Sequence, residues 1–147
     1  MIRAAREPDM DVILDFCAEH AAYEQADYEP AGKGERLEKA LFGSDPQLHC
    51  LIAEVEGEPV GYATFLVQYS TWDAERYLYM DCLYLREAAR GKGLGGEMME
   101  ALAKEGRKLG CREIQWQTPD FNAGAIRFYK RLGAVSKAKE RFFLSLH

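Results

Sequence analysis

No stretch of this 147-residue sequence approaches 18 consecutive apolar residues, the length from which a membrane-crossing helix is read. The first residues, MIRAAREPDMD, lack the apolar core of a secretion signal. The four cysteines (Cys17, Cys50, Cys82 and Cys111) stand about thirty residues apart without a CxxC pair, so no disulfide framework is written in their spacing. Histidine is confined to His20, His49 and His147, with neither HxxxH nor mixed Cys/His ligand spacing, and we expect no metal. A GxSxG elbow is absent as well. Nor is there an excess of positive charge: 19 Lys+Arg against 24 Asp+Glu leave a net −5, which argues against a dedicated nucleic-acid binder. The expectation is a soluble cytoplasmic chain with neither membrane nor nucleic-acid partners.

What is there reads as one globular domain. The length can bury a full core, and 48% hydrophobic with 29% charged residues excludes a disordered chain. The charge is unevenly placed. Residues 1–85 hold 17 acidic and six basic side chains, whereas residues 86–147 hold seven and thirteen, giving −11 and +6.

Spacing of apolar residues orders the elements. Ile2–Ala5 reads as a strand, and Pro8 starts a helix in which Ile13, Leu14, Cys17 and Ala21 share a face to about Glu24. After the turn-rich segment 25–34, a short helix covers Glu35–Phe42 and ends at Gly43-Ser44-Asp45-Pro46. Leu48–Val55 and Val60–Tyr69 flank Glu56-Gly57-Glu58-Pro59 as a hairpin, and Ser70–Glu75 leads into a strand over Tyr77–Leu85. Leu94, Met98, Leu102 and Leu109 mark a helix that stops at Gly110, followed by a strand over Cys111–Gln117. Asn122 caps a helix over Ala123–Leu132 that Gly133 ends, and Ala134–Val135 with Arg141–Leu146 read as a final strand or hairpin. Consecutive strands predict an antiparallel sheet, and the crossover helix demands one parallel pair. The fold class is therefore mixed α/β.

Arg90-Gly91-Lys92-Gly93-Leu94-Gly95-Gly96 joins a strand to the start of an amphipathic helix. A helix start offers unpaired N–H groups and about half a positive charge, and glycines let an anion approach them closely. Arg90 and Lys92 add charge, so the segment is suited to a phosphate or pyrophosphate. A tight turn with glycines serving only geometry is the competing reading. Gly91-x-Gly93-x-x-Gly96 matches the dinucleotide fingerprint formally, but Arg86–Arg90 intervenes after the strand, and that strand is the fourth of a mostly antiparallel run. No Lys-Ser/Thr ends the run, which excludes a P-loop.

Arg90-Gly91-Lys92-Gly93-Leu94-Gly95 after a Leu/Tyr-rich strand resembles the R-G-x-G-x-G/A acyl-CoA loop of the GNAT superfamily of N-acetyltransferases. Asn122-Ala123-Gly124-Ala125-Ile126-Arg127-Phe128-Tyr129-Lys130-Arg131-Leu132-Gly133-Ala134 is similar to that family's N-x-x-A-x-x-F-Y-x-x-x-G-A block. The resemblance covers essentially the whole chain. Ala22-Tyr23-Glu24, Asp45-Pro46 before His49–Glu54, Tyr69-Ser70-Thr71-Trp72 and Leu78-Tyr79-Met80-Asp81 further resemble the spermidine/spermine (diamine) branch. The implied fold is a twisted, mostly antiparallel sheet of six to seven strands with one parallel pair and about four helices. Residues 1–147 would form a single acetyl-CoA-dependent N-acetyltransferase domain.

The same resemblance assigns roles. It places the main chain of Cys82, Leu83, Tyr84 and Leu85 beside the thioester, and Arg90, Gly91, Lys92, Gly93, Leu94, Gly95 and Gly96 around the pyrophosphate. Asn122 is either a contact to the pantetheine arm or a plain helix cap. Tyr129 is implied as the general acid, since a phenol with a pKa near 10 can protonate a thiolate whose thiol has a pKa of about 8.5. Asp81 stands where the diamine branch has a Glu that binds or deprotonates the amine, one methylene shorter here. Tyr23, Glu24 and Trp72 are implied at the acceptor site, and Cys82 is a packing residue rather than a nucleophile. The expected reaction is acetyl transfer from acetyl-CoA to a small polyamine or diamine-like substrate in a ternary complex, without a metal and in a homodimer. Acetylation of an aminoglycoside or peptide amine is the alternative, as is a silent acyl-CoA sensor. A basic cofactor half and an acidic acceptor half suit CoA phosphates and ammonium groups.

Overall fold

The computed structural model describes every residue from Met1 to His147. Along the chain run β1 (Ile2–Ala4), α1 (Met10–Tyr23), α2 (Lys33–Phe42), β2 (His49–Val55), β3 (Glu58–Ser70), β4 (Glu75–Leu85), α3 (Leu94–Lys108), β5 (Ile114–Gln115) and α4 (Ala123–Arg131), with single 3-10 turns at Glu7–Asp9 and Glu87–Ala89. The residues divide into two compact units, Met1–Gln117 and Thr118–His147.

In the first unit the five strands lie in the order β1-β2-β3-β4-β5. All neighbours are antiparallel except β4 and β5, which are parallel. The β2–β3 hairpin turns on Glu56 (φ 51°) and Gly57 (φ 80°), two successive left-handed residues of the kind that match the twist of paired strands. Register then sorts side chains by face. Ile52, Tyr62 and Tyr84 lie opposite one another across β2, β3 and β4, and Cys50, Thr64 and Cys82 form the next row. Against this face α1 buries Ile13 and Phe16 completely, with the Phe16 ring 5.5 Å from Tyr62 and 6.4 Å from Tyr84. Each such side chain removed from water contributes roughly 1.5–3 kcal/mol. Leu51, Ala53 and Ala63 alternate onto the other face, and α3, packed against β1, β2, β4 and β5, supplies buried Leu94, Met98 and Leu102.

The start of α1 is tied to β1 by charge. Arg3 donates from both terminal nitrogens to Asp9, at 2.8 and 2.9 Å, and the Arg6 backbone N–H donates to the same carboxylate at 2.7 Å.

Five strands form, not six to seven. The expected strand or hairpin over Ala134–Val135 and Arg141–Leu146 is absent, and β5 is limited to Ile114–Gln115 within the predicted Cys111–Gln117. The apolar residues of 142–146 carry β propensity, but a strand exists only through ladder pairing, and this segment's backbone enters no ladder. Conversely, β3 and β4 run longer than predicted, because the polar stretch at 70–75 pairs across the hairpin down to Ser70↔Glu75. In the second unit, Asn122 Oδ1 accepts from the Ala125 N–H at 3.3 Å and starts α4. Gly133, at φ 91°, takes the left-handed conformation that ends it.

Candidate active site

The glycine run occupies the path from β4 into α3. β4 ends at Leu85, the chain makes its 3-10 turn, and Gly91 (φ 76°) and Gly93 (φ 82°) then adopt left-handed conformations that cost other residues about 1–2 kcal/mol. Gly93 is the cap of α3 and brings no capping side chain, so the first-turn N–H groups depend on an outside acceptor. A Cβ added at Gly91, Gly93 or Gly96 would meet no atom within 4 Å. The bare backbone therefore faces open space, with Arg90 and Lys92 exposed beside it. These residues fit a pyrophosphate on the chemistry of the donors alone.

β4 is irregular where the chemistry is expected. Cys82 pairs with Thr64 and Met80 with Phe65, so Asp81 is an extra residue without a β3 partner. The bulge leaves Asp81 exposed and inverts the direction of the backbone groups beyond it. The Arg86 N–H donates to Val60 O at 2.8 Å. Alternation from that bond turns Tyr84 and Cys82 toward β3, and Leu83 and Leu85 outward. The outward edge meets β5 only at Leu78 and Tyr79. Leu83 and Leu85 thus present their N–H groups on an edge that no strand covers.

At the other end of this row, the last turn of α1 gathers a polar and aromatic cluster. Tyr23 lies with its ring 6.3 Å from Tyr84, and the Arg90 guanidinium sits over both rings, 4.7 Å from Tyr23 and 5.7 Å from Tyr84. Arg90 Nε also donates to Leu85 O at 2.9 Å. Glu24 pairs with His20 Nε2 at 2.8 Å. Glu19 accepts from Tyr84 and Arg86, and the Arg86 guanidinium holds its carboxyl below the usual range. Cys82 faces the interior, with its Sγ 3.8 Å from Asp81 Oδ2. Burial, reinforced by the Asp81 charge, pushes its thiol up to about 11.

Of the residues singled out in the sequence, the first unit brings Tyr23, Tyr84 and Arg90 into contact and sets Asp81 beside Cys82. Trp72 stands apart. It is 95% exposed on the β3–β4 turn, and Asp81 lies six residues along β4 from Glu75, about 20 Å of strand. Asn122 and Tyr129 belong to the second unit, where Asn122 caps α4 and the Tyr129 ring lies 5.3 Å from that of Phe128. His20, Tyr62, Glu19 and Arg86 join this cluster without a motif that marks them in the sequence. The i, i+4 spacing of His20 and Glu24 was a usable signal; the Glu19–Arg86 pairing across 67 positions was not. No group of three or more His, Cys, Asp and Glu side chains converges as a metal site, and no helix is long and apolar enough to cross a membrane.

Comparison with known proteins bears on this arrangement. A model of the acetyltransferase (GNAT) family matches residues 13–134. The thialysine N-epsilon-acetyltransferase of Bos taurus is 35% identical over 142 residues, covering 91% of this chain and 83% of that protein. Spermidine/spermine N(1)-acetyltransferase-like protein 1 of Homo sapiens is 29% identical over 146 residues, which are 95% of this chain and 21% of that protein. Among solved structures, a possible acetyltransferase from Clostridium difficile 630 superposes with a TM-score of 0.84 over 100% of this chain and 97% of that one. Its 17% identity makes this a likeness of fold.

Proposed function

The chain belongs to the GNAT acetyltransferase family and is an acetyl-CoA-dependent N-acetyltransferase; from that premise we propose that its acceptor is a primary amine of a small polyamine or a diamine-like amino acid, attacked directly in a ternary complex. The observation that carries this reading is the acidic and aromatic cluster at the end of α1, together with the exposed Asp81 carboxylate on the bulged residue of β4. An acceptor with two ammonium groups is matched by two carboxylates, and aromatic faces add cation–π attraction. Relatives named for thialysine and for spermidine/spermine support the same class.

Acetyl-CoA supplies the acetyl thioester when bound. In our reading Arg90, Lys92 and the backbone of Gly91, Gly93, Leu94, Gly95 and Gly96 hold its phosphates. Asp81 binds the acceptor ammonium and takes its proton, directly or through water. The N–H groups of Leu83 and Leu85 donate to the carbonyl oxygen as the amine nitrogen bonds to carbon. The carbon–sulfur bond breaks, and Tyr129 returns a proton to the departing sulfur. Asn122 contacts the pantetheine arm while capping α4, and Tyr23 and Glu24 line the acceptor subsite. Trp72 is left out of that subsite on account of its distance along β4. The reading includes a cytoplasmic homodimer, a state supported by the exposure of Phe142, Phe143, Leu144 and Leu146 at 82–89%.

Thiol release from acetyl-CoA across spermidine, spermine, putrescine, lysine analogues, aminoglycosides and peptides tests it. The diamines and polyamines should give the highest kcat/KM. A preference for aminoglycosides or peptides would replace the acceptor class, and CoA binding without turnover of any amine would indicate a sensor. Sedimentation analysis decides the dimer.

A further inference from the structure

His20 lies between two groups with opposite demands. Its Nε2 is 2.8 Å from Glu24 Oε2, and its Nδ1 is 3.5 Å from the Tyr62 hydroxyl. A carboxylate only accepts, so Nε2 carries a proton and Nδ1 is the nitrogen free to accept one. The imidazole stacks on Tyr84, at 5.5 Å and 22°, and meets Tyr62 edge-on at 6.2 Å. It is held in place, with 12% of its side chain exposed against 31% for Glu24.

The partner on the titrating side can serve both charge states. Tyr62 is 1% exposed, and burial holds its phenol far above its ordinary pKa, so the hydroxyl keeps its proton. That proton has His20 Nδ1 at 3.5 Å and Cys17 Sγ at 3.7 Å in reach, and the Cys82 thiol also hydrogen-bonds the hydroxyl. With neutral imidazole, the hydroxyl donates to Nδ1. With imidazolium, Nδ1–H donates to the phenol oxygen, and the hydroxyl turns to Cys17. Neither state strands a buried donor, which is what lets the histidine change charge in place.

Other groups facing the imidazole do not take over this role. From α1, Glu19 is already held by Arg86 and Tyr84. From the glycine loop, Arg90 lies over the outer rings of Tyr23 and Tyr84. Burial pushes the Cys17 thiol upward, while the Lys33 and Asp81 charges act on it in opposite directions. Glu24 is the one carboxylate in contact with His20.

We infer that His20 sets the charge Glu24 presents to the acceptor, making it the positioning residue that confers selectivity for amines with a second cationic group. Neutral His20 orients the carboxylate and leaves its charge for the distal ammonium; imidazolium cancels it. This rests on the proposed acceptor subsite at Glu24. Affinity for a diamine should therefore fall about tenfold when the imidazole is protonated, with a monoamine of the same length far less affected.

Three variants separate the effects. His20→Gln keeps a donor to Glu24 without a titrating group, and should give a KM for putrescine that lacks the low-pH rise while kcat is retained. His20→Lys fixes a positive charge and should raise that KM at every pH. Glu24→Gln should raise it and remove its dependence on His20. A wild-type pH limb retained in His20→Gln would overturn the inference, as would an unchanged putrescine KM in Glu24→Gln. A second readout does not need turnover. Binding of putrescine should shift the NMR titration of the His20 ring to lower pH, by linkage, and no shift on saturation would overturn the inference. If no diamine is acetylated, the functional reading fails by itself, and the NMR titration still decides the role of His20.

Discussion

Arg86 grips Glu19 with two parallel hydrogen bonds, Nε to Oε1 at 3.0 Å and Nη2 to Oε2 at 2.9 Å, joining the residue after β4 to the penultimate turn of α1. The side chains are 38% and 36% exposed, so water screens much of the attraction. Its main effect is therefore positional. Glu19→Gln should cost less than about 1 kcal/mol in thermal denaturation. It should still raise the acceptor KM several-fold, because Tyr23 and Glu24 ride on the same helix end. A large drop in Tm with unchanged KM would assign the pair to stability instead.

Gly61 stands where β3 crosses the end of β4. A Cβ there would run into the Tyr84 carbonyl and Leu85, neither of which can give way cheaply. Gly61→Ala should destabilise by about 1–3 kcal/mol in denaturant titration. It should also weaken CoA binding in calorimetry, since displacement of Leu85 moves the loop that Arg90 anchors to its carbonyl.

Gly93→Ala separates conformation from stability in the proposed cofactor loop. Its left-handed φ of 82° would cost alanine about 1–2 kcal/mol. The added methyl itself meets nothing within 4 Å. We expect a modest loss of stability and a larger loss of CoA affinity, tenfold or more on the order expected when a close backbone approach is blocked. Equal losses would mean the glycine serves only the turn.

Acid should loosen the anchor of α1. Arg3, ahead of the backbone N–H of Arg6, holds Asp9 below its ordinary pKa of about 3.9. The stabilisation from this carboxylate is complete above that value and is lost as pH falls through the lowered folded one. Asp9→Asn should cost roughly 2–3 kcal/mol at neutral pH and flatten the acid limb of a pH–Tm curve below about pH 4. An unaltered acid limb would place the sensitivity elsewhere.

Cys82 lies on the strand proposed to flank the thioester, yet a thiol with a pKa near 11 is roughly one part in ten thousand thiolate at pH 7. Cys82→Ala should keep kcat within a few-fold, and mass spectrometry should find no acetylated enzyme. Trapping an acetyl group on Cys82 would replace direct attack with a covalent route.

The sequence by itself determined a large part of this molecule. Periodicity located α1 through Ile13, Leu14 and Cys17, α3 through Leu94, Met98 and Leu102, and the three meandering strands. Glu56-Gly57 and the Gly91–Gly96 run were legible because left-handed turns and helix starts are set by a few neighbouring residues. Local chemistry also marked the Gly91–Gly96 run as suited to a phosphate, and its resemblance to a family motif pointed to the acetyltransferases.

Tertiary structure decided what depends on pairing across the chain. The bulge that exposes Asp81 exists only as a difference in count between β3 and β4, so no reading of β4 alone contains it. Glu19 meets Arg86 and Tyr84, and His20 meets Tyr62, because α1 lies across the row that strand register assembles. The strand expected near the C-terminus fails for the same reason in reverse: apolar residues at 142–146 have the propensity, but a ladder needs a second backbone. Short-range geometry is written in residue types, whereas contacts over 40 to 70 positions are fixed only when sheet register and helix packing are settled together.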